Sequence, residues 1–280
     1  MPELPEVEIT RRGLLPLINQ TVVQVVIRNA SMRWPIPAHL PQTLHQQKLV
    51  ALKRRAKYIL AEFGATSGHT FIPHGTLLLH LGMSGRICLL DRHYPPEKHD
   101  HFDIVFEDGR VLRLRDPRRF GAVLWAGDKP NEHTLIRVLG PEPLEKNFNA
   151  QHLFDATRTR STAIKVAIMD SHLVVGVGNI YASESLFRAR IHPETPANKL
   201  TLKKCEKLVL EIKSTLNDAL NAGGSSLRDF FGADGNPGYF QQEYFVYGRT
   251  NQACKICSQP IKNIRLGQRS TFYCDICQPR

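Results

Sequence analysis

Three features of the sequence predict an α+β chain of several domains: an N-terminal helix with an antiparallel β-sandwich, a helical second part, and a terminal metal-binding element. Short apolar runs with period-two alternation fill the stretch from Val22 to Trp125, as half-buried strands require. After Gly140-Pro141-Glu142-Pro143 the apolar period becomes helical. Near the C-terminus, Cys254-x-x-Cys257 and Cys274-x-x-Cys277 are separated by sixteen residues. Four thiolates at this spacing make a closed tetrahedral site for one zinc ion, which gives the metal a structural role and leaves the chemistry to other groups.

Composition narrows the partner. The chain has 280 residues, 42% of them hydrophobic, enough for a sizeable core. Its 37 Lys plus Arg outnumber 26 Asp plus Glu, and the net charge of +11 favours a polyanion, nucleic acid first. No apolar run approaches the roughly 18 residues of a membrane span, and the acidic N-terminus is unlike a leader peptide. The expected location is the cytoplasm, with no membrane partner and a monomeric chain. In that compartment paired cysteines point to metal rather than disulfides. Cys88 and Cys205 lie in apolar-periodic stretches and are expected in the core.

Taken in order, Glu6 to Ile18 suits a helix that closes at or soon after Pro16, with acids at its start and Arg11 and Arg12 later. Thr21 to Arg28, Thr76 to Leu81, Arg86 to Leu90, Phe102 to Glu107 and Arg110 to Arg115 read as strands. Asp108-Gly109 joins the last two as a two-residue turn. Gly64 to Gly75 looks like a loop, with room for a short strand at Phe71 and Ile72. The expected domains are residues 1–140, a linker at 141–149, a helical domain at 150–245 and a zinc element at 246–280. Within the helical part, Thr162 to Met169 and Asn179 to Ala189 flank a glycine-rich turn at Gly176 and Gly178. Leu202, Cys205, Leu208, Val209, Ile212, Leu216, Ala219 and Leu220 form a buried helix stripe that stops before Gly223-Gly224. The glycine-rich, aromatic stretch that follows, to Tyr247, reads as a mobile loop.

The chemistry concentrates at the start. Once Met1 is removed, as is usual ahead of a small residue, Pro2 carries a free secondary amine that titrates near about 8 and can form a Schiff base. Glu3 beside it is a proton donor or acceptor. The same residues would equally serve only to start a helix. Lys53-Arg54-Arg55 with Lys57, then Arg113, Arg115, Arg118 and Arg119, make a charge cluster that suits either a solvated face or DNA. Phe120 beside Arg118 and Arg119 suits a wedge entering a duplex. Residues 246–280 carry six Lys or Arg against one Asp, a net of +5, which fits either a solvated ribbon or a cationic hairpin on DNA.

Pro2-Glu3-Leu4-Pro5-Glu6-Val7-Glu8, Arg54-Arg55-Ala56-Lys57-Tyr58, Leu81-Gly82-Met83-Ser84-Gly85, Asp116-Pro117-Arg118-Arg119-Phe120-Gly121, Gly176-Val177-Gly178-Asn179-Ile180-Tyr181 and the four cysteines together resemble the bacterial formamidopyrimidine-DNA glycosylases. The resemblance spans the whole chain. It implies a helix-two-turn-helix domain, a β-hairpin zinc finger, and a bifunctional glycosylase and abasic-site lyase acting on duplex DNA that carries oxidised purines such as 8-oxoguanine. Pro2 would be the nucleophile, Glu3 its proton partner, and Lys57 and Arg269 the phosphate-holding catalytic cations. Met83, Arg118 and Phe120 would fill the gap left by the extruded nucleotide, while His99, Arg160 and Asn179 would contact DNA. Glu184 matches an acidic residue near the active site, and the loop at 223–240 would close over the flipped base. His101 is expected to be structural. Val166 stands where a proline is often seen.

Two rivals fit part of this pattern. Endonuclease VIII shares the N-terminal chemistry but takes oxidised pyrimidines, and Leu4 with the 223–240 loop favours the purine enzyme. A zinc-ribbon nucleic-acid-binding protein without activity would explain the charge and cysteines but not the N-terminal motif.

Overall fold

A computed structural model describes residues 2–67, 70–223 and 244–280. The lesion loop expected at 223–240 falls outside them from residue 224 onward, as does Met1. The chain divides into two compact units, one holding residues up to Arg137 and the other Val138–Asn221 with the described residues from Tyr244 onward. Among the described residues, no helix is long and apolar enough to cross a membrane.

The first unit opens with α1 (Leu4–Gly13). Pro5 sits in its first turn, where the missing N–H costs nothing. Helix α1 ends earlier than its apolar pattern suggests, and Leu15–Leu17 form a 3₁₀ turn. Pro16 explains this, because its ring would collide with the carbonyl four residues back in a continuing helix. Eight strands then follow: β1 (Val22–Ile27), β2 (Lys48–Arg55), β3 (Tyr58–Ser67), β4 (Thr70–His80), β5 (Arg86–Asp91), β6 (Asp100–Phe106), β7 (Arg110–Arg115) and β8 (Ala122–Gly127), with a short α2 (Leu40–Leu44) after β1. They form two four-stranded sheets in the orders β1-β6-β7-β5 and β2-β3-β4-β8, each ladder antiparallel. Leu49, Ile59, Phe63, Leu77 and Val123 of one sheet meet Phe102, Ile104, Leu112 and Leu114 of the other in a single core, joined by Val7 of α1 and Leu14 just past its end.

Two expectations are corrected. Of the stretch expected to be a loop, Gly64 to Ser67 continue β3 and Thr70 to Gly75 begin β4, so the short strand allowed at Phe71 and Ile72 is part of a longer one, with Gly64 paired to Pro73 and Ala65 to Ile72. The register shifts between Phe63 and Gly64, and this bulge absorbs the glycines and proline that otherwise signal a break. The β6–β7 turn has three residues, Glu107 to Gly109, rather than two. Gly109 supplies the positive φ of 87° that such a turn needs.

The second unit contains α3 (Ala150–Thr157), α4 (Ile164–Ile168), α5 (Asn179–Ala189) and α6 (Leu202–Asn221), followed by the hairpin β9 (Lys262–Leu266) and β10 (Arg269–Tyr273). Helix α3 is capped by Asn149, whose side chain accepts the His152 N–H at 2.9 Å. On α6 the residues Cys205, Leu208, Val209, Ile212, Leu216 and Ala219 are buried along one face. A separate apolar cluster joins Phe187 of α5 to Val246, Ile261 and three of the zinc-spaced cysteines, so the terminal element packs on α5.

Candidate DNA-processing site

Pro2 is buried at the head of α1, and Glu3 behind it, only 1% exposed, caps the helix. Glu3 and Glu6 form a reciprocal capping box, in which the Glu3 N–H donates to Glu6 Oε2 at 2.8 Å. Such a box removes two unsatisfied donors and holds the first turn rigid. The position of Pro2 is therefore fixed by buried groups at the start of a helix that lies against β2 and β3.

Lys57 occupies the tight β2–β3 turn, preceded by Ala56 at a φ of +54°. Alanine adopts that region only when its surroundings compel it. Here the Ala56 carbonyl accepts from Arg54 Nη1 at 3.0 Å, and Arg54 Nε lies 3.4 Å from Glu8 on α1. Burial works against the charge of Glu8, but bonds from Arg11 and Arg12 and the nearby Arg54 hold its carboxyl below the usual range. The helix that bears Pro2 and the turn that bears Lys57 are thus tied by ionic contacts.

Next along β4, His80 Nδ1 accepts the Gly82 N–H at 3.0 Å, so its proton sits on Nε2. Burial first, then the cations Lys57 and Arg33, push its pKa down to about 4. An unfolded chain takes up a proton near the ordinary 6.5 while the fold refuses it until about 4. Stability will accordingly fall as pH drops through this window, by about 3 kcal/mol in total. Urea unfolding at pH 7 and 4.5 will show a smaller acid loss in His80→Gln than in the parent.

The residues expected to enter the duplex come together. Met83 lies in the loop after β4, and Arg118 and Phe120 lie between β7 and β8. Arg118 stacks its guanidinium 4.7 Å from the Phe120 ring centroid, and Phe120 is 41% exposed. His99 is half-buried, with its ring 6.3 Å from that of His101. His101 is buried and bonds the Asp116 carbonyl at 2.9 Å, the structural part expected of it. Arg113 and Arg115 leave the cationic surface cluster. Arg113 is 3% exposed and bonds Asp103, and Arg115 bonds Asp100 at 2.6 Å.

In the second unit Asn179 begins α5, after Gly176 at a φ of +79°. Its Nδ2 donates to the Ser270 carbonyl at 2.9 Å, one residue from Arg269. The link is reinforced by a residue that motif reading missed. Lys165 on α4 is 1% exposed, and its Nζ donates to Asn179 Oδ1 at 2.5 Å, Thr271 Oγ1 at 2.8 Å and the Ser270 carbonyl at 3.1 Å. The available signal was a lone cation among Ile164, Val166, Ala167 and Ile168. Arg269 itself is exposed at the start of β10. Val166 touches the hairpin tip, where a Cβ on Gly267 would come 3.2 Å from its methyl group. Arg160 stands apart from this group and pairs with Asp170 at 2.6 Å. Although burial opposes it, Arg160 and His172 hold the Asp170 carboxyl down to about 2. Glu184 is an anchor: its carboxylate accepts the N–H groups of Phe245, Val246 and Tyr247 at 2.8, 2.9 and 2.8 Å. Burial raises its pKa while those three donors pull it back.

The Sγ atoms of Cys254, Cys257, Cys274 and Cys277 all lie within 4.8 Å of one another. Two of the separations are 3.9 and 3.4 Å, close to the ~3.8 Å edge of a tetrahedron with Zn–S bonds of about 2.3 Å. The set fits one structural zinc. Structural zinc supplies roughly 10 kcal/mol or more to small fingers, more than the small apolar cluster here can replace. A strong chelator will strip hydrogen-exchange protection from β9 and β10 while leaving the sandwich amides protected.

Family models match three consecutive segments: the formamidopyrimidine-DNA glycosylase N-terminal domain at residues 1–123, the H2TH domain of the same enzymes at 139–231, and the zinc finger found in FPG and IleRS at 251–280. The chain is 69% identical over 278 residues to the formamidopyrimidine-DNA glycosylase of Methylobacillus flagellatus, covering 99% of this chain and 96% of that protein. It is 51% identical to that of Aromatoleum aromaticum, across the full length of both. Among solved structures, MutM (Fpg) from Thermus thermophilus aligns with a TM-score of 0.85 at 34% identity, covering 99% of this chain and 98% of that one. The Lactococcus lactis Fpg bound to DNA containing N7-benzyl-Fapy-dG aligns over all of both chains, with a TM-score of 0.89 at 32% identity.

Proposed function

The chain belongs to the formamidopyrimidine-DNA glycosylases, the base-excision enzymes of DNA repair, and from that premise we propose that it removes oxidised purines through a Schiff base on Pro2 and then cuts the strand. The substrate is duplex DNA holding 8-oxoguanine, a formamidopyrimidine or an abasic site, and the enzyme acts as a monomer. The target nucleotide leaves the stack, since its anomeric carbon is shielded inside the duplex. Pro2 nitrogen attacks C1′, and the glycosidic bond breaks with its electron pair going to the base, which takes up the proton that the amine gives off. Glu3 donates a proton to O4′ as the sugar opens, which leaves an iminium between Pro2 and C1′. That cation acidifies C2′. Loss of the C2′ proton expels the 3′ phosphate, loss of the C4′ proton expels the 5′ phosphate, and water hydrolyses the remaining iminium to free Pro2 and release the sugar remnant as an unsaturated aldehyde, leaving a gap with phosphate at both ends. Lys57 and Arg269 hold those phosphates as their charge develops. Met83, Arg118 and Phe120 fill the vacated space, and His99, Arg160 and Asn179 bind the backbone. The zinc supports the hairpin that carries Arg269.

The observation that supports this reading is the buried Glu3–Glu6 capping box directly behind Pro2, which would hold the Pro2 amine rigidly once Met1 is removed. The relatives' complexes with lesion-containing and abasic DNA support the substrate class. Borohydride trapping on a duplex with 8-oxoguanine opposite cytosine, followed by peptide mapping, tests it. An adduct at Pro2 is expected. An adduct at a lysine moves the nucleophile, and excision without any adduct removes the Schiff base. Faster excision of thymine glycol than of 8-oxoguanine would overturn the purine assignment.

A further inference from the structure

We infer that Asp116 is a positioning residue, which clamps the two loops of the void-filling finger into one rigid wedge. This rests on the reading that Met83, Arg118 and Phe120 enter the duplex. Asp116 is fully buried, yet the proposed mechanism gives it no task. Its carboxylate accepts from both loops. On one side Ser84 Oγ donates to Oδ1 at 2.6 Å, next to Met83. On the other, the Gly121 N–H donates to Oδ2 at 2.7 Å and the Arg118 N–H to Oδ1 at 3.3 Å, bracketing Phe120. The Arg118 N–H also lies 3.2 Å from Ser84 Oγ, closing a triangle of donors around one carboxylate.

The backbone around this triangle is tailored to it. A Cβ on Gly82 would come 2.4 Å from the Phe120 backbone, and one on Gly121 would come 2.8 Å from the His80 carbonyl. At Gly82 and Gly121 the two loops therefore approach each other through main chain, with no room for a further side chain. Arg119 turns the tip at a φ of +57°, and its N–H bonds the Asp116 carbonyl at 3.2 Å. Asp116 is itself held from behind, its N–H by the His99 carbonyl at 3.0 Å and its carbonyl by the His101 ring. Buried bonds converge on Asp116 while Arg118 and Phe120 stay exposed. A wedge ordered before it meets DNA avoids the entropy of ordering during extrusion. Asparagine in place of Asp116 removes the charge and sets an N–H against either the Gly121 N–H or, with Ser84 then turned from donor to acceptor, the Arg118 N–H, so the grip on one loop weakens.

The test is single-turnover excision from an 8-oxoguanine duplex with 2-aminopurine beside the lesion to report extrusion. Asp116→Asn and Ser84→Ala are each expected to slow extrusion and excision about tenfold, the effect of one hydrogen bond to a charged acceptor. In a Phe120→Ala background the same substitutions should change the rate by less than about twofold, because their route to the DNA is already cut. Full multiplicative loss in that background would make Asp116 a general structural residue and overturn the inference. Ser84→Ala at the parent rate would overturn it as well, and this variant carries the test alone if Asp116→Asn loses its thermal transition. Phe120→Ala excising at the parent rate would instead sink the void-filling reading itself.

Discussion

Inserting one alanine between Met1 and Pro2 will reduce excision of 8-oxoguanine by about a thousandfold or more, the range seen when a nucleophile or its base is lost. Borohydride trapping will vanish with it. Pro2 nitrogen then becomes a tertiary amide with no lone pair to offer, and the nearest free amine moves one residue away, about 3.5 Å along the chain. The fold cannot take up that displacement, because Glu3 and Glu6 lock the first turn of α1 and Leu4 is completely buried behind it. Affinity for a lesion duplex, measured by titration with excision blocked, should stay within about threefold, since no cation is touched. Retained trapping at Pro2 is chemically impossible in this variant. Retained excision with an adduct on the inserted alanine would mean that the site tolerates the displaced amine, and retained excision with no adduct would mean that the base leaves by another route, with water as the attacking group.

What could be read ahead of the structure follows from how far apart the partners lie. The sandwich strands and the α6 stripe were visible because each is a periodic pattern within a few residues. The zinc site was visible because its four ligands come as two local pairs. The far end of the β3–β4 hairpin is only partly legible for the same reason, with Phe71 and Ile72 readable as strand and their flanks as loop. Gly64, Pro73 and Gly75 are local break signals, and only the cross-strand pairing shows that a bulge accommodates them. Charge was the least legible. Arg113 lies inside β7 and Arg118 three residues past its end, and one is buried against Asp103 while the other is exposed over Phe120. Asp103 lies ten positions from Arg113 on the neighbouring strand, and only the pairing of β6 with β7 sets the two side by side. Asp116 and Lys165 escaped notice for the same reason: the bond from Ser84 spans 32 positions, and the bonds of Lys165 reach Ser270 and Thr271, 105 and 106 positions away.

Lys165 leads to the second large effect. Lys165→Met will cost about 3 kcal/mol of stability in the second unit, the scale of breaking a buried, hydrogen-bonded charge. Methionine matches the length of the stem but leaves Asn179 Oδ1, Thr271 Oγ1 and the Ser270 carbonyl without their shared donor. Of these, the Ser270 carbonyl still receives Asn179 Nδ2 at 2.9 Å. The hairpin should thus loosen from α4 and α5 rather than detach, because Phe187 still packs against the cysteine cluster. Loosening acts on Asn179 and Arg269 together, since both are fixed through Ser270 or its neighbour. Hydrogen exchange will register it as faster exchange in β10 with the β1–β8 amides unchanged. Lesion-duplex affinity will fall with it, and Asn179→Ala made on top of Lys165→Met will then cost less than it does alone. Independent, additive losses would instead mean that Lys165 supports the fold without orienting the phosphate contacts.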